Sequence, residues 1–125
     1  MQNFKELKVW EKAHQATLSI YKASATFPKE ETYSLTNQLR RAAASIPANI
    51  AEGCGKNTQA DLASFLNMSL GSANETKYFL ILSKDLSYLT EDQFLNLSSS
   101  INEVKAMLIS LISKVRTKPA PRLIT

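Results

Sequence analysis

Residues 90–115, TEDQFLNLSSSINEVKAMLISLISKV, decide the fold class. Thr90 followed three residues later by Gln93 is a capping box, in which each side chain satisfies the other's free backbone N–H. Glu91 and Asp92 lie in the first turn, where the helix dipole favours acids. Phe94, Leu97, Ile101, Val104, Leu108, Leu111 and Val115 then recur at alternating three- and four-residue steps. That spacing makes one narrow apolar seam, the kind found where helices pack almost antiparallel. A seam of this length needs partner helices to cover it.

The segment just upstream supplies one. A third helix is predicted from about Gln59 to Leu89, with Thr58 as its N-cap. It carries two apolar stripes. One is Leu62, Leu66, Ser69, Ala73, Thr76 and Leu80; the other is Met68, Ser72, Glu75, Phe79, Leu82 and Leu86. A helix apolar on two faces is buried on two sides. The first stripe serves the bundle core, and the second is a candidate oligomer interface with another copy of the chain. Glu75, inside that second stripe, needs a basic partner or water if it is covered.

Further upstream, a second helix is predicted from about Thr32 to Cys54. Its apolar stripe is Leu35, Leu39, Ala42, Ala43, Ile46 and Ile50. Pro47 interrupts it chemically, because it has no N–H for the carbonyl of Ala43, and predicts a kink. The stripe keeps its phase across the proline, so the helix is expected to continue. Gly53 and Gly55 are expected to stop it. The first helix is predicted from about Phe4 to Phe27, with Leu7, Trp10, His14, Thr17 and Tyr21 as its inner face; Pro28 forces its end. Four helices with short connections predict an all-α, up-down-up-down four-helix bundle over residues 1–117. Lys118-Pro119-Ala120-Pro121-Arg122 cannot continue a helix, and residues 118–125 read as a flexible basic tail.

Composition agrees with one domain. The chain has 125 residues, 44% hydrophobic and 21% charged, enough for a core without disulfides or metals. A single cysteine, Cys54, rules out an internal disulfide framework. The N-terminus has no apolar signal core, and the apolar run Tyr78 to Leu82 is too short to span a bilayer. A cytoplasmic location without membrane contact is expected. Fifteen Lys and Arg against eleven Asp and Glu give a net charge of +4, and the pI is near 9.3. This mild basicity favours nucleic acid as a partner. Lys105, Lys114, Arg116, Lys118 and Arg122 make the C-terminal end the most basic part.

Little in the chain points to catalysis. Glu11 and His14 have the three-residue spacing of a di-iron bundle motif, but one histidine cannot supply the two such motifs that site needs. Cys54 lies at a helix C-terminus, where the dipole opposes a thiolate. Gly53-Cys54-Gly55-Lys56-Asn57-Thr58 lacks the spacing of a phosphate loop and follows no strand. No enzyme activity, metal or cofactor is expected.

Helix 2 also carries a polar stripe of Arg41, Ser45, Asn49, Glu52 and Lys56, flanked by Arg40. By spacing alone it reads either as a solvated surface or as a recognition and assembly face, since guanidinium groups suit phosphates and carboxylates alike. Both arginines lie off the apolar stripe and are expected to be free for a partner. The segment QLRRAAASIPANIAEG, Gln38 to Gly53, resembles the signature of a bacterial four-helix-bundle family associated with intervening sequences of large-subunit ribosomal RNA genes. The opening FKELKVWEKAH, the turn Phe27 to Glu31 and the run SLGSANETKYFLILSKDLSYL agree with it. The resemblance covers about Phe4 to Val115. It implies a ring-like homopentamer without established enzymatic activity. It further implies similarity to accessory variability proteins of diversity-generating retroelements, which associate with reverse transcriptase and nucleic acid. Arg40, Arg41, Ser45, Pro47, Asn49, Glu52 and Gly53 occupy the signature positions, and Glu75 matches a glutamate recurrent in helix 3. The expected function is therefore a homo-oligomer that binds structured RNA or DNA, with Arg40, Arg41, Lys56, Lys114, Arg116 and Lys118 as candidate contacts. The rival reading is a protein-interaction module that touches no nucleic acid.

Overall fold

A computed structural model describes residues 2–117. The predicted tail, residues 118–125 with Lys118, lies outside them. Among the described residues four α-helices form: α1 (Lys8–Ser24), α2 (Leu35–Cys54), α3 (Gln59–Asp85) and α4 (Glu91–Thr117). Short 3-10 turns at Phe4–Glu6 and Lys29–Glu31 precede α1 and α2. Four residues join α2 to α3, a reach of roughly 14 Å when extended, while α3 rises about 40 Å. The chain must therefore turn back on itself. Helices α1 and α3 each pack on both α2 and α4, which closes the four-helix bundle.

The helix ends show why these segments stop where they do. Thr90 N–H donates to Gln93 Oε1 at 2.9 Å, and Gln93 N–H donates to Thr90 Oγ1 at 3.1 Å, so the capping box forms. Thr58 Oγ1 accepts from Asp61 N–H at 3.0 Å and caps α3. Helix α3 ends four residues before the predicted Leu89. Ser87 adopts φ 66°, its N–H bonds Lys84 O, and Tyr88 N–H bonds Ser83 O at 2.8 Å. This is a Schellman stop built on serine instead of glycine.

Helix α2 runs unbroken through Pro47. All six residues of its predicted stripe are buried. The carbonyl of Ala43, deprived of a donor by Pro47, accepts from Thr17 Oγ1 of α1 at 3.1 Å. The same hydroxyl lies 2.8 Å from Ala13 O of its own helix, so one proton is shared between two carbonyls. On the other flank, Ser69 of α3 donates to Ile46 O at 2.8 Å. Hydroxyls from both neighbours thus bond the backbone around the proline.

Two expectations need correction. Gly53 does not stop α2; it lies buried inside the helix. A Cβ there would come within 2.9 Å of Phe65 Cβ and 3.3 Å of Leu62 O, so the glycine lets α2 and α3 approach closely. The inner face of α1 is also rotated from the predicted one. Val9, Ala13, Ala16, Thr17, Ile20 and Ser24 are buried, whereas Trp10 and His14 are half-buried and Tyr21 is exposed. Close helix packing selects the small residues for the core. Trp10 closes the margin instead, with its ring 5.0 Å from Phe4 and stacked 5.1 Å from His14.

Candidate functional site

The fold sorts the predicted binding residues into two places. The start of α1, the end of α2, the start of α3 and the end of α4 share one end of the bundle. Lys56, Lys114 and Arg116 gather there. Lys5 and Lys8 join them, although sequence reading did not single them out. Lys8 and Lys114 line one cleft of about 410 Å3, floored by Leu7, Val9, Met107 and Leu111. Arg116 borders a separate groove of about 690 Å3 between α3 and α4, with Gln59 and Asn67. Glu6, Glu52 and Asp61 share this end, and Glu52 holds Lys56 at 3.6 Å. Lys56 also lies 5.0 Å over the Phe65 ring. The opposite end carries Glu30, Glu31, Asp85, Glu91 and Asp92 against Lys22, Lys29 and Lys84. Arg40 and Arg41, within the first two turns of α2, bring the charges of that end into balance, so the basic excess sits at the first end.

Arg40 and Arg41 face different ways. Arg40 is half-buried. Its Nε donates to Ser24 Oγ at 2.8 Å and a terminal nitrogen donates to Tyr21 O at 3.0 Å. The guanidinium carbon lies 4.7 Å over the Tyr21 ring. Tyr21 O is one of the last four carbonyls of α1, which no helical N–H satisfies. Arg40 is therefore engaged in capping α1 and joining it to α2, contrary to the expectation that both arginines are free. Arg41 is exposed. Ion pairs among the described residues are Lys12–Glu103, Lys56–Glu52 and Lys84–Asp85; Arg41 and Glu75 belong to none of them.

Arg41, Ser45 and Glu75 nevertheless line one groove of about 380 Å3 between α2 and α3, together with Asn37 and Gln38. Two signature positions one turn apart on α2 thus meet the recurrent glutamate of α3 on one face. Ser45 donates to Ala42 O at 2.8 Å, and Asn49 Nδ2 donates to Ser45 O at 2.9 Å. Both side chains lie back along α2. Of the second stripe of α3, Met68, Glu75 and Leu86 are exposed and Ser72 and Leu82 half-buried. Phe79 packs against the protomer's own core.

The remaining reactive groups have bland surroundings. Cys54 is buried, and burial pushes its thiol above the ordinary range. His14 stacks on Trp10. Among the described residues, no group of three His, Cys, Asp or Glu side chains gathers to hold a metal, and no helix is long and apolar enough to cross a membrane.

Fold and surface together define an all-helical bundle whose polar features lie on its faces and ends. Residues 5–110 match the 23S rRNA-intervening sequence protein family, and the chain belongs to it. No curated protein matches the chain. A solved structure from Bacteroides thetaiotaomicron, a protein with unknown function from the S23 ribosomal protein family, superposes with a TM-score of 0.76 at 31% identity. The match covers 83% of this chain and 97% of that one.

Proposed function

We propose that this chain is a non-enzymatic homo-oligomer, pentameric as its family resemblance implies, that binds structured RNA or DNA through phosphate contacts. The observation that carries the proposal is the gathering of Lys5, Lys8, Lys56, Lys114 and Arg116 at one end of the bundle. A cyclic assembly with its axis along the helices places that end of every copy on the same face. Modest charge per chain then becomes a concentrated basic surface, because each residue is multiplied by the copy number. A nucleic-acid enzyme such as a reverse transcriptase would be recruited through the same nucleic acid.

RNA titrations at several salt concentrations test this. Log K should fall linearly with log salt, and Lys8→Ala/Lys114→Ala/Arg116→Ala should weaken binding similarly for all sequences. The slope should drop by about 0.7–0.9 for each phosphate that the variant no longer neutralises. Absence of salt-dependent binding would leave the second reading, a protein-interaction module without nucleic-acid contact. The engagement of Arg40 within the protomer favours that reading, since it gives one signature arginine an architectural role.

A further inference from the structure

The α2/α3 face presents charges and apolar side chains in a register that matches itself. The bond from Ser69 to Ile46 O fixes the level at which antiparallel α2 and α3 lie side by side. Counting outward from it, Glu75 lies level with Arg41, and both border the same groove. Met68, 52% exposed, lies level with Ala48. Leu82 lies level with the turn just before α2, where Tyr33 is 94% exposed. Between Arg41 and Glu52 the surface of α2 offers Ala44, Ser45, Ala48, Asn49 and Ala51, none larger than asparagine. Small side chains there leave room for a helix to approach. Gly71, on the outer side of α3, has no atom within 4 Å of where its Cβ would stand.

We infer that a second copy of this chain covers this face, with α3 of one copy lying antiparallel on α2 of the next. Cyclic symmetry along the bundle axis adds no shift, so the register of the protomer repeats between copies. Met68 then rests on Ala48, Glu75 meets Arg41, and Leu82 meets Tyr33. Charge complementarity selects the occupant: Arg41 and Glu75 lack ion-pair partners among the described residues of the protomer, and each supplies what the other copy needs. The same two charges set the register, because sliding the copies by one helical turn moves Glu75 from Arg41 to Asn37 or Ser45 and leaves both charges unpaired. The inference rests on the homo-oligomer reading and names the contact that would build it.

The test uses light scattering on the full chain, with circular dichroism to confirm the fold. Wild type should show a mass several times 13.9 kDa. Arg41→Glu and Glu75→Arg should each stay helical and fall toward the single-chain mass. The double variant Arg41→Glu/Glu75→Arg should regain the wild-type mass. Co-expressed with tagged wild type, it should assemble apart, because mixed contacts place like charges together. A wild-type monomer would overturn the homo-oligomer reading and this one with it. An oligomeric wild type whose mass survives either single reversal would overturn only the pairing. Free co-assembly of the double variant with wild type would place the pair within one copy and overturn it too.

Discussion

Adjacent residues Arg40 and Arg41 differ in role because a helix turns about 100° per residue. Arg40 points toward the end of α1 and makes two charged-donor hydrogen bonds to it. Arg41 points into the α2/α3 groove. Arg40→Ala should therefore destabilise the protomer by about 1–2 kcal/mol, toward the low end for bonds to charged groups because the side chain is half-exposed. Arg41→Ala should stay within about 0.5 kcal/mol of wild type. Urea unfolding of the two variants checks the difference; equal destabilisation would remove the capping role from Arg40. Both arginines do lie off the apolar stripe of α2, as their spacing in the sequence requires. Spacing could not reveal that the end of α1 arrives beside one of them, since that depends on the path of residues 25–34.

At the scale of the element, α2 depends on its neighbours more than its pattern implied. The stripe from Leu35 to Ile50 was legible because large aliphatic residues marked it. In α1 the same logic followed Trp10, His14 and Tyr21 and was off by one residue, because the core positions there are held by Ala13 and Ala16. Gly53 looked like punctuation because closeness to Phe65 is a property of two helices together. Pro47 poses the sharper question: how a buried proline persists inside a continuous helix. Thr17 supplies the donor that the proline lacks. Thr17→Val should then strand the Ala43 carbonyl and cost about 1–3 kcal/mol. In a Pro47→Ala background the restored N–H of residue 47 can serve that carbonyl, so Thr17→Val should cost distinctly less. A double-mutant cycle by thermal or urea unfolding measures this coupling. Additive effects would show that Thr17 acts only through its contact with Ala13.

For the whole molecule, the second stripe of α3 was legible as an excess of apolar residues, and its division between two uses was not. Phe79 packs on the protomer core, while Met68 and Leu86 remain 52% and 45% exposed. This changes which substitution isolates assembly from folding. Phe79→Asp would bury a charge against the protomer's own core and should lower stability and oligomer mass together. Met68→Asp stands in solvent in a single copy, so protomer stability should change by no more than about 0.5 kcal/mol. In an assembly that covers Met68, the same aspartate faces an apolar contact and costs several kcal/mol. Light scattering across a dilution series should therefore show Met68→Asp as a folded chain of lower mass, with an unchanged circular dichroism spectrum. If Met68→Asp keeps the wild-type mass at all dilutions, the apolar stripe of α3 is not the assembly surface. The oligomer would then have to form through another face, and the basic ends would need a different argument for acting together.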